Sequence, residues 1–438
     1  MITVDSERAE THLRLLAERV LRRAQDAARQ PATSRTTPAS AITVSQVAHA
    51  LVMAGALDNA TAGAIVQELA LALESRRPEP PSSGSYSRRS WPTGMSPAAR
   101  PAAVPPLLVA AGLTMSIPDG TLRLLSYLQT GHRTRFLVVA RTPDPAALDG
   151  LTATDEAGTS YRLTFTGGSS SRDWAGELVF CPDPPPGLRW LEIAGPGIPA
   201  HRIELIAGPA PDCPATRVPP SPGEHLLHVL AADLLARLPD FPPDERRALA
   251  AGSQPPSGHT NLGEIVRALE SAGALSPDSM VPGQVAVLCE AVGIDDHGLA
   301  TPSDQELPAP WAGVLTSYRR ANPPDGCAGI ALTLPEIDGT VVSVTGLDTV
   351  DGISTLLLHA SGMVPFPHHI GVNPLPLIWL RDSDGSWHVT CSNGGGQADG
   401  EAIVQLKVIP PLSRPDWIEV VVSGRSAEVR ATVPLRWG

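Results

Sequence analysis

Lysine is almost missing from this 438-residue chain: Lys407 is the only one, and every other basic residue is arginine. That shortage excludes chemistry. A GxxxxGK[ST] phosphate loop, the strand lysine of a kinase and a Schiff-base amine all require a lysine in a defined context. Lys407 lies inside the strand-like IVQLKVI and fits none of them. Paired cysteines are missing as well. Cys181, Cys213, Cys289, Cys327 and Cys391 are odd in number, scattered, and never form CxxC, which suits thiols in a reducing cytoplasm. No run of about eighteen uncharged apolar residues occurs, so no membrane helix is expected. The opening MITVDSERAETHLRLLAERVLRR is charged throughout and lacks the apolar core of a signal peptide. A cytoplasmic protein is the expectation.

Charge of one sign is scarce in one half only. Residues 1–218 hold 21 Arg against 20 Asp and Glu, a net of +1, and the remainder holds 33 − 21 = 12 basic against 45 − 20 = 25 acidic residues, a net of −13. An acidic second half argues against a phosphate-backbone footprint, because binding duplex needs cations that displace counterions. No nucleic-acid partner is expected.

What the chain has in plenty is proline, alanine and an internal echo. VAHALVMAGAL (47–57) and IVRALESAGAL (265–275) close on the same AGAL, 272 − 54 = 218 positions apart. LLAERVLRR (15–23) answers VLAADLLAR (229–237) upstream, and a further helical stretch follows each AGAL. After the helices the apolar period changes from about 3.6 to 2 in both halves. Strand candidates run over 121–129, 134–142, 150–156, 160–166, 174–180, 188–194 and 201–207, then over 340–347, 354–360, 375–382, 386–391, 402–408, 416–423 and 427–433. DEAGTSY answers DSDGSW, TGGSSS answers SNGGG, and RWLEI answers DWIEV.

About seven short strands broken by Gly and Pro turns read as an immunoglobulin-like antiparallel β-sandwich without its disulfide. The expected fold class is therefore α+β, a tandem duplication of a small helical module followed by a seven-stranded sandwich. The boundaries read as helical module 1–77, Pro/Ser/Arg-rich linker 78–106, sandwich 107–210, Pro-rich junction 211–223, helical module 224–294, acidic linker 295–310 and sandwich 311–438. Trp174, Trp190, Trp379, Trp387 and Trp417 fall at strand positions and read as sandwich core.

Candidate chemistry concentrates in the second half. His359, His368, His369, His388 and Cys391 lie close in sequence, and imidazoles with a thiolate bind zinc where they converge. Against convergence, His388 and Cys391 are odd-spaced on one strand and face opposite sides, with Cys391 expected inward. No GxSxG elbow occurs, and GGG at 394–396 lies between strands, where a turn explains it better than a phosphate cradle. No catalytic residue, cofactor or metal is assigned, and His359, His368, His388 and Cys391 stand as the metal candidates. The segment SGMVPFPHHIGVNP (361–374) is long, apolar and nearly uncharged where the first half has TPDPAALDG. Met363, Val364, Phe366, His368, His369 and Ile370 are therefore the candidate contacts for another protein.

Taken together, these residues lead to a non-enzymatic adaptor or regulator presenting protein-binding surfaces on tandem units. The alternatives are a metal-binding protein or hydrolase using the His/Cys cluster, and a self-assembling structural subunit. Residues 78–100 contain seven Pro or Gly and six Ser among 23 positions, too little apolar area to offset chain entropy. Limited trypsin digestion is expected to cut first after Arg88, Arg89 or Arg100, and a chain first cut elsewhere would contradict this.

Overall fold

The computed structural model describes residues 4–29, 39–74, 107–130, 133–142, 145–170, 173–205, 221–237, 262–276, 278–292, 305–317, 323–362, 376–398, 401–424 and 427–437. The linkers at 78–106 and 211–220 and the segment 363–375 lie outside them. Helices α1 (Ser6–Arg29), α2 (Ala39–Met53) and α3 (Asn59–Glu74) precede strands β1 (Leu107–Ile117), β2 (Gly120–Gln129), β3 (Thr134–Arg141), β4 (Thr152–Asp155), β5 (Ser160–Ser170), β6 (Asp173–Cys181), β7 (Trp190–Gly195) and β8 (Ile198–Glu204). The order then repeats. Helices α4 (Pro222–Arg237), α5 (Leu262–Ser271), α6 (Val281–Ala291) and α7 (Ala309–Ser317) precede β9 (Gly326–Thr333), β10 (Val341–Val350), β11 (Ile353–Ser361), β12 (Leu377–Asp382), β13 (Trp387–Ala398), β14 (Glu401–Ile409), β15 (Trp417–Ser423) and β16 (Glu428–Pro434).

Helices α1 to α6 form one compact unit and the strands another. In the helical unit both repeats contribute to one cluster, with α2 of the first repeat against α5 of the second. The Asp5 amide donates to the Ala272 carbonyl at 2.9 Å, and Arg19 meets Glu264 at 3.4 Å. The AGAL phrase now has a physical meaning: it is a helix stop. Gly55 and Gly273 adopt φ of +69° and +67°, which a glycine enters without steric cost. The next amide turns back in each repeat, Ala56 to the Leu51 carbonyl at 2.7 Å and Ala274 to the Leu269 carbonyl at 2.9 Å. This is the Schellman closure, and the residues it folds over, Leu51 and Leu269, are fully buried.

Each sheet is a continuous run of eight antiparallel strands, β1-β2-β3-β6-β5-β4-β7-β8 and β9-β10-β11-β14-β13-β12-β15-β16. Adding eight to every strand of the first gives the second, so the two β units are duplicates in topology. This corrects the expected seven strands of a two-sheet immunoglobulin sandwich. The strands missing from the sequence reading are β1 and β9, whose AAG and GCAG stretches hide the alternation of larger side chains. Each sheet curls toward a barrel: β1 comes against β8, and Ala328 in β9 bridges Trp437 beyond β16. The concave faces hold separate cores, with Leu122, Phe136, Tyr161 and Phe180 in one and Val344, Leu358, Leu380 and Val420 in the other.

The matched turns include one identical clamp. Asp155 Oδ1 accepts from the amides of Ala157 and Thr159 at 2.9 and 2.8 Å, and Asp382 Oδ1 accepts from those of Asp384 and Ser386 at 3.0 and 2.8 Å. Trp190 and Trp417 open the equivalent strands β7 and β15. Both are half-buried, as are Trp174 and Trp387, and only Trp379 is buried as the sequence reading expected. At a strand end the pleat opens to solvent, and Trp190 is covered there by the Arg202 guanidinium at 4.2 Å.

The outer faces of β1–β3 and β9–β11 meet within the β unit. Leu108, Leu128 and Leu137 of the first repeat pack with Ile403 and Ala331 of the second, and Leu125 and Val139 pack with Cys327 and Leu357. Backbones come together at the centre. A Cβ on Gly329 would stand 2.5 Å from the Leu125 carbonyl oxygen and 2.6 Å from the Gly112 nitrogen. Gly329→Ala is therefore expected to cost roughly 2–4 kcal/mol through strain in the contact. Gly63→Ala, in α3 with no atom within 4 Å of the added carbon, should be neutral or stabilise by up to about 1 kcal/mol. Urea unfolding of the two variants checks both, and equal midpoints would refute the close contact.

Candidate functional site

Ionisable side chains gather where the two repeats touch. Arg135 on β3 lies diagonally across from Glu177 on β6, and His359 on β11 lies diagonally across from Glu401 on β14. Diagonal neighbours on one face of a sheet are within reach of long side chains. The contact brings these two pairs together. Arg135 donates to Glu177 at 3.1 Å and to Glu401 at 2.5 Å, so one guanidinium joins carboxylates from both repeats. The Arg135 side chain is only 5% exposed. His359 is 1% exposed, with Nε2 at 3.5 Å from Glu401 Oε2. Neither of its ring nitrogens makes a hydrogen bond of good geometry to the described residues.

Two further arginines of the first repeat reach carboxylates of the second. Arg123 donates to Asp348 at 2.5 Å, with side chains 15% and 7% exposed. Arg141 pairs with Asp351 and lies 3.7 Å from Asp325 at a more open place. Among the described residues, the arginines that cross this seam, Arg123, Arg135 and Arg141, come from the first repeat, and the carboxylates they meet, Glu177 apart, come from the second. Burial opposes the charge on Arg123, and Asp348 outweighs it, so its pKa is raised. Burial alone would likewise raise the Glu401 carboxyl. The His359 imidazole and the Arg135 guanidinium overcome that and hold it at about 2. Removing one partner of such a buried pair costs about 3–5 kcal/mol, because the other charge is left without compensation.

The second cluster lies within the second repeat. His388, on β13, is buried, with Nδ1 at 2.6 Å from the Pro410 carbonyl and Nε2 at 3.2 Å from Asp382 Oδ2. In the first repeat Tyr161 takes the corresponding place, donating its hydroxyl to Asp155 Oδ2 at 2.6 Å. Burial, then Asp155, pushes the Tyr161 hydroxyl up to about 12. In both repeats the aspartate of the turn thus ties down a ring on the next strand. With both nitrogens of His388 facing acceptors, the ring acts as a brace.

The sequence candidates separate accordingly. His359 and His388 sit beside different carboxylates, Glu401 and Asp382. Cys391, expected inward, is half-buried on β13 opposite Lys407, while His388 takes the buried place. His368 and the proposed contacts Met363, Val364, Phe366, His369 and Ile370 lie outside the described residues. Among the described residues no group of three or more His, Cys, Asp or Glu side chains is placed to hold a metal ion. No described helix is long and apolar enough to cross a membrane. Sequence motifs did not reveal Arg123, Arg135, Asp348 or Glu401; the signal was the unequal charge of the two halves.

No family model and no curated protein matches the chain. A solved structure, a conserved domain protein from Bacillus anthracis, is aligned over 76% of this chain and 90% of its own, with 8% identity and a TM-score of 0.15. At that level nothing about this chain follows from it.

The acid behaviour of the seam follows from Glu401. Its native carboxyl is held near 2 against an ordinary value of 4.5, so between these values the unfolded chain binds more protons. Its contribution is complete above 4.5 and is lost as pH falls toward 2. The stability gap between the native chain and Glu401→Gln should narrow over that window in urea titrations, and a gap that stays constant would contradict the assignment.

Proposed function

We propose that this protein is a non-enzymatic cytoplasmic adaptor or regulator, in which two fused repeats are locked together so that their remaining surfaces face partner proteins in fixed relation. The observation that carries this reading is how the buried charges of the seam are used. In the seam Arg123 and Arg135 are committed to Asp348 and Glu401 of the other repeat, and away from it, inside the second repeat, His388 faces Asp382 and the Pro410 carbonyl. Such commitments favour a scaffold, since a general base or metal ligand needs a ring nitrogen or carboxylate directed at a substrate. The contact segment proposed for the partner is 361–374, with Met363 and Phe366 as apolar anchors and Val364, His368, His369 and Ile370 beside them.

The competing reading is a metal-binding protein or hydrolase that uses His359, His368, His388 or Cys391. Elemental analysis of the purified chain separates the two, because stoichiometric zinc would favour the metal site. The adaptor reading is tested with the double variant Met363→Ala/Phe366→Ala. Its thermal midpoint should stay within about 2 °C of the parent, a shift below 1 kcal/mol. Recovery of a reproducibly co-purifying cellular protein should fall at least about tenfold, corresponding to about 1.4 kcal/mol. A midpoint lowered by several degrees would make the segment part of the core and remove it as an interface.

A further inference from the structure

We propose that the outer face of β1–β3 is a recognition surface for an acidic sheet face of its own fold, and that its charges direct the first repeat to the second and prevent the second from pairing with another copy of itself. Leu124 pairs with Val138 and Val344 with Leu358, each beside a bulge at the same place in β2 and β10. Since 344 − 124 = 220 and 358 − 138 = 220, positions on these strands correspond at that offset. Ser343, Thr355 and Ser361 therefore stand where the first repeat has Arg123, Arg135 and Arg141, and Leu128 stands where the second has Asp348. The same strands carry a cationic face in one repeat and hydroxyls with carboxylates in the other.

This difference decides which faces match. The mixed contact puts Arg123 on Asp348, Arg135 on Glu401 and Arg141 on Asp351. Two second-repeat faces brought together in the same way would set Asp348 against Ser343 and Glu401 against Thr355. Asp348 would then lose Arg123, and Glu401 would lose Arg135 and be left beside the His359 of its own repeat; taking the cation from a buried carboxylate is strongly disfavoured. Two first-repeat faces would set Arg123 against Leu128, which stands in place of Asp348. The apolar groups between the charges, Leu125 and Val139 against Cys327 and Leu357, supply contact area with little selectivity of their own. Fusion then supplies the high local concentration that lets the mixed contact form inside one chain.

The test uses full-length chains with reversed charges. Arg123→Asp/Arg135→Glu makes both faces acidic, and Asp348→Arg/Glu401→Arg makes both basic. Each should melt several degrees below the parent, with faster amide exchange in β1 and β9. The chain carrying all four substitutions restores opposite charges and should recover most of the lost midpoint. Mixing the acidic and basic chains should give a heterodimer by light scattering, since the face missing from each is present on the other. The proposal is overturned if the four-substitution chain melts no higher than the two reversed chains, or if the folded acidic and basic chains stay monomeric when mixed.

Discussion

The architecture rests on one close approach, the place where Gly329 of the second repeat meets the backbone of Gly112 and Leu125 in the first. A sheet has two faces, and here each repeat keeps its own core on the concave one. The convex faces can then come together only where side chains are short. Small residues in β1 and β9 let the backbones approach, and the apolar groups around them, Leu128 with Ile403 and Leu125 with Leu357, close over the gap. Small residues at the centre and long ones at the rim are what two curved surfaces require.

Around that centre the charges follow a spatial order. Arg123 and Arg135 come out of the first sheet at positions of low exposure, where an isolated guanidinium would be costly to bury. Asp348 and Glu401 satisfy them from the other sheet. The imbalance between +1 and −13 in the two halves of the sequence thus has a partial structural cause. Part of the second half's acid is the complement of arginines held by the first.

Much of this was legible beforehand. The AGAL phrase marked a helical repeat because a helix that ends on Gly55 or Gly273 needs the left-handed conformation in both copies. Regular alternation marked most of the strands. It failed at β1 and β9 for a physical reason: strands that pack backbone to backbone are built from Ala and Gly, and these carry no alternation to detect. The ionic seam was hidden for another reason. Arg135 and Glu401 are 401 − 135 = 266 positions apart, and their pairing depends on how two finished sheets dock. The tryptophans misled because a large apolar side chain at a strand end, such as Trp190 or Trp417, is only half covered. The doublet of Asp382 and His388 was masked by its counterpart, since Tyr161 and His388 look unlike each other in sequence while occupying one place in the fold.

The contrast of arginines in one repeat with hydroxyls in the other at three matched positions also has a historical meaning. Two identical units joined end to end begin with interchangeable faces, and either can change without reference to the other. Once Arg123, Arg135 and Arg141 stand where the sister unit keeps Ser343, Thr355 and Ser361, that freedom is gone. A change at Asp348 or Glu401 now has its consequences at Arg123 or Arg135, more than two hundred positions away in the same chain. The duplication has become irreversible at the level of a few side chains.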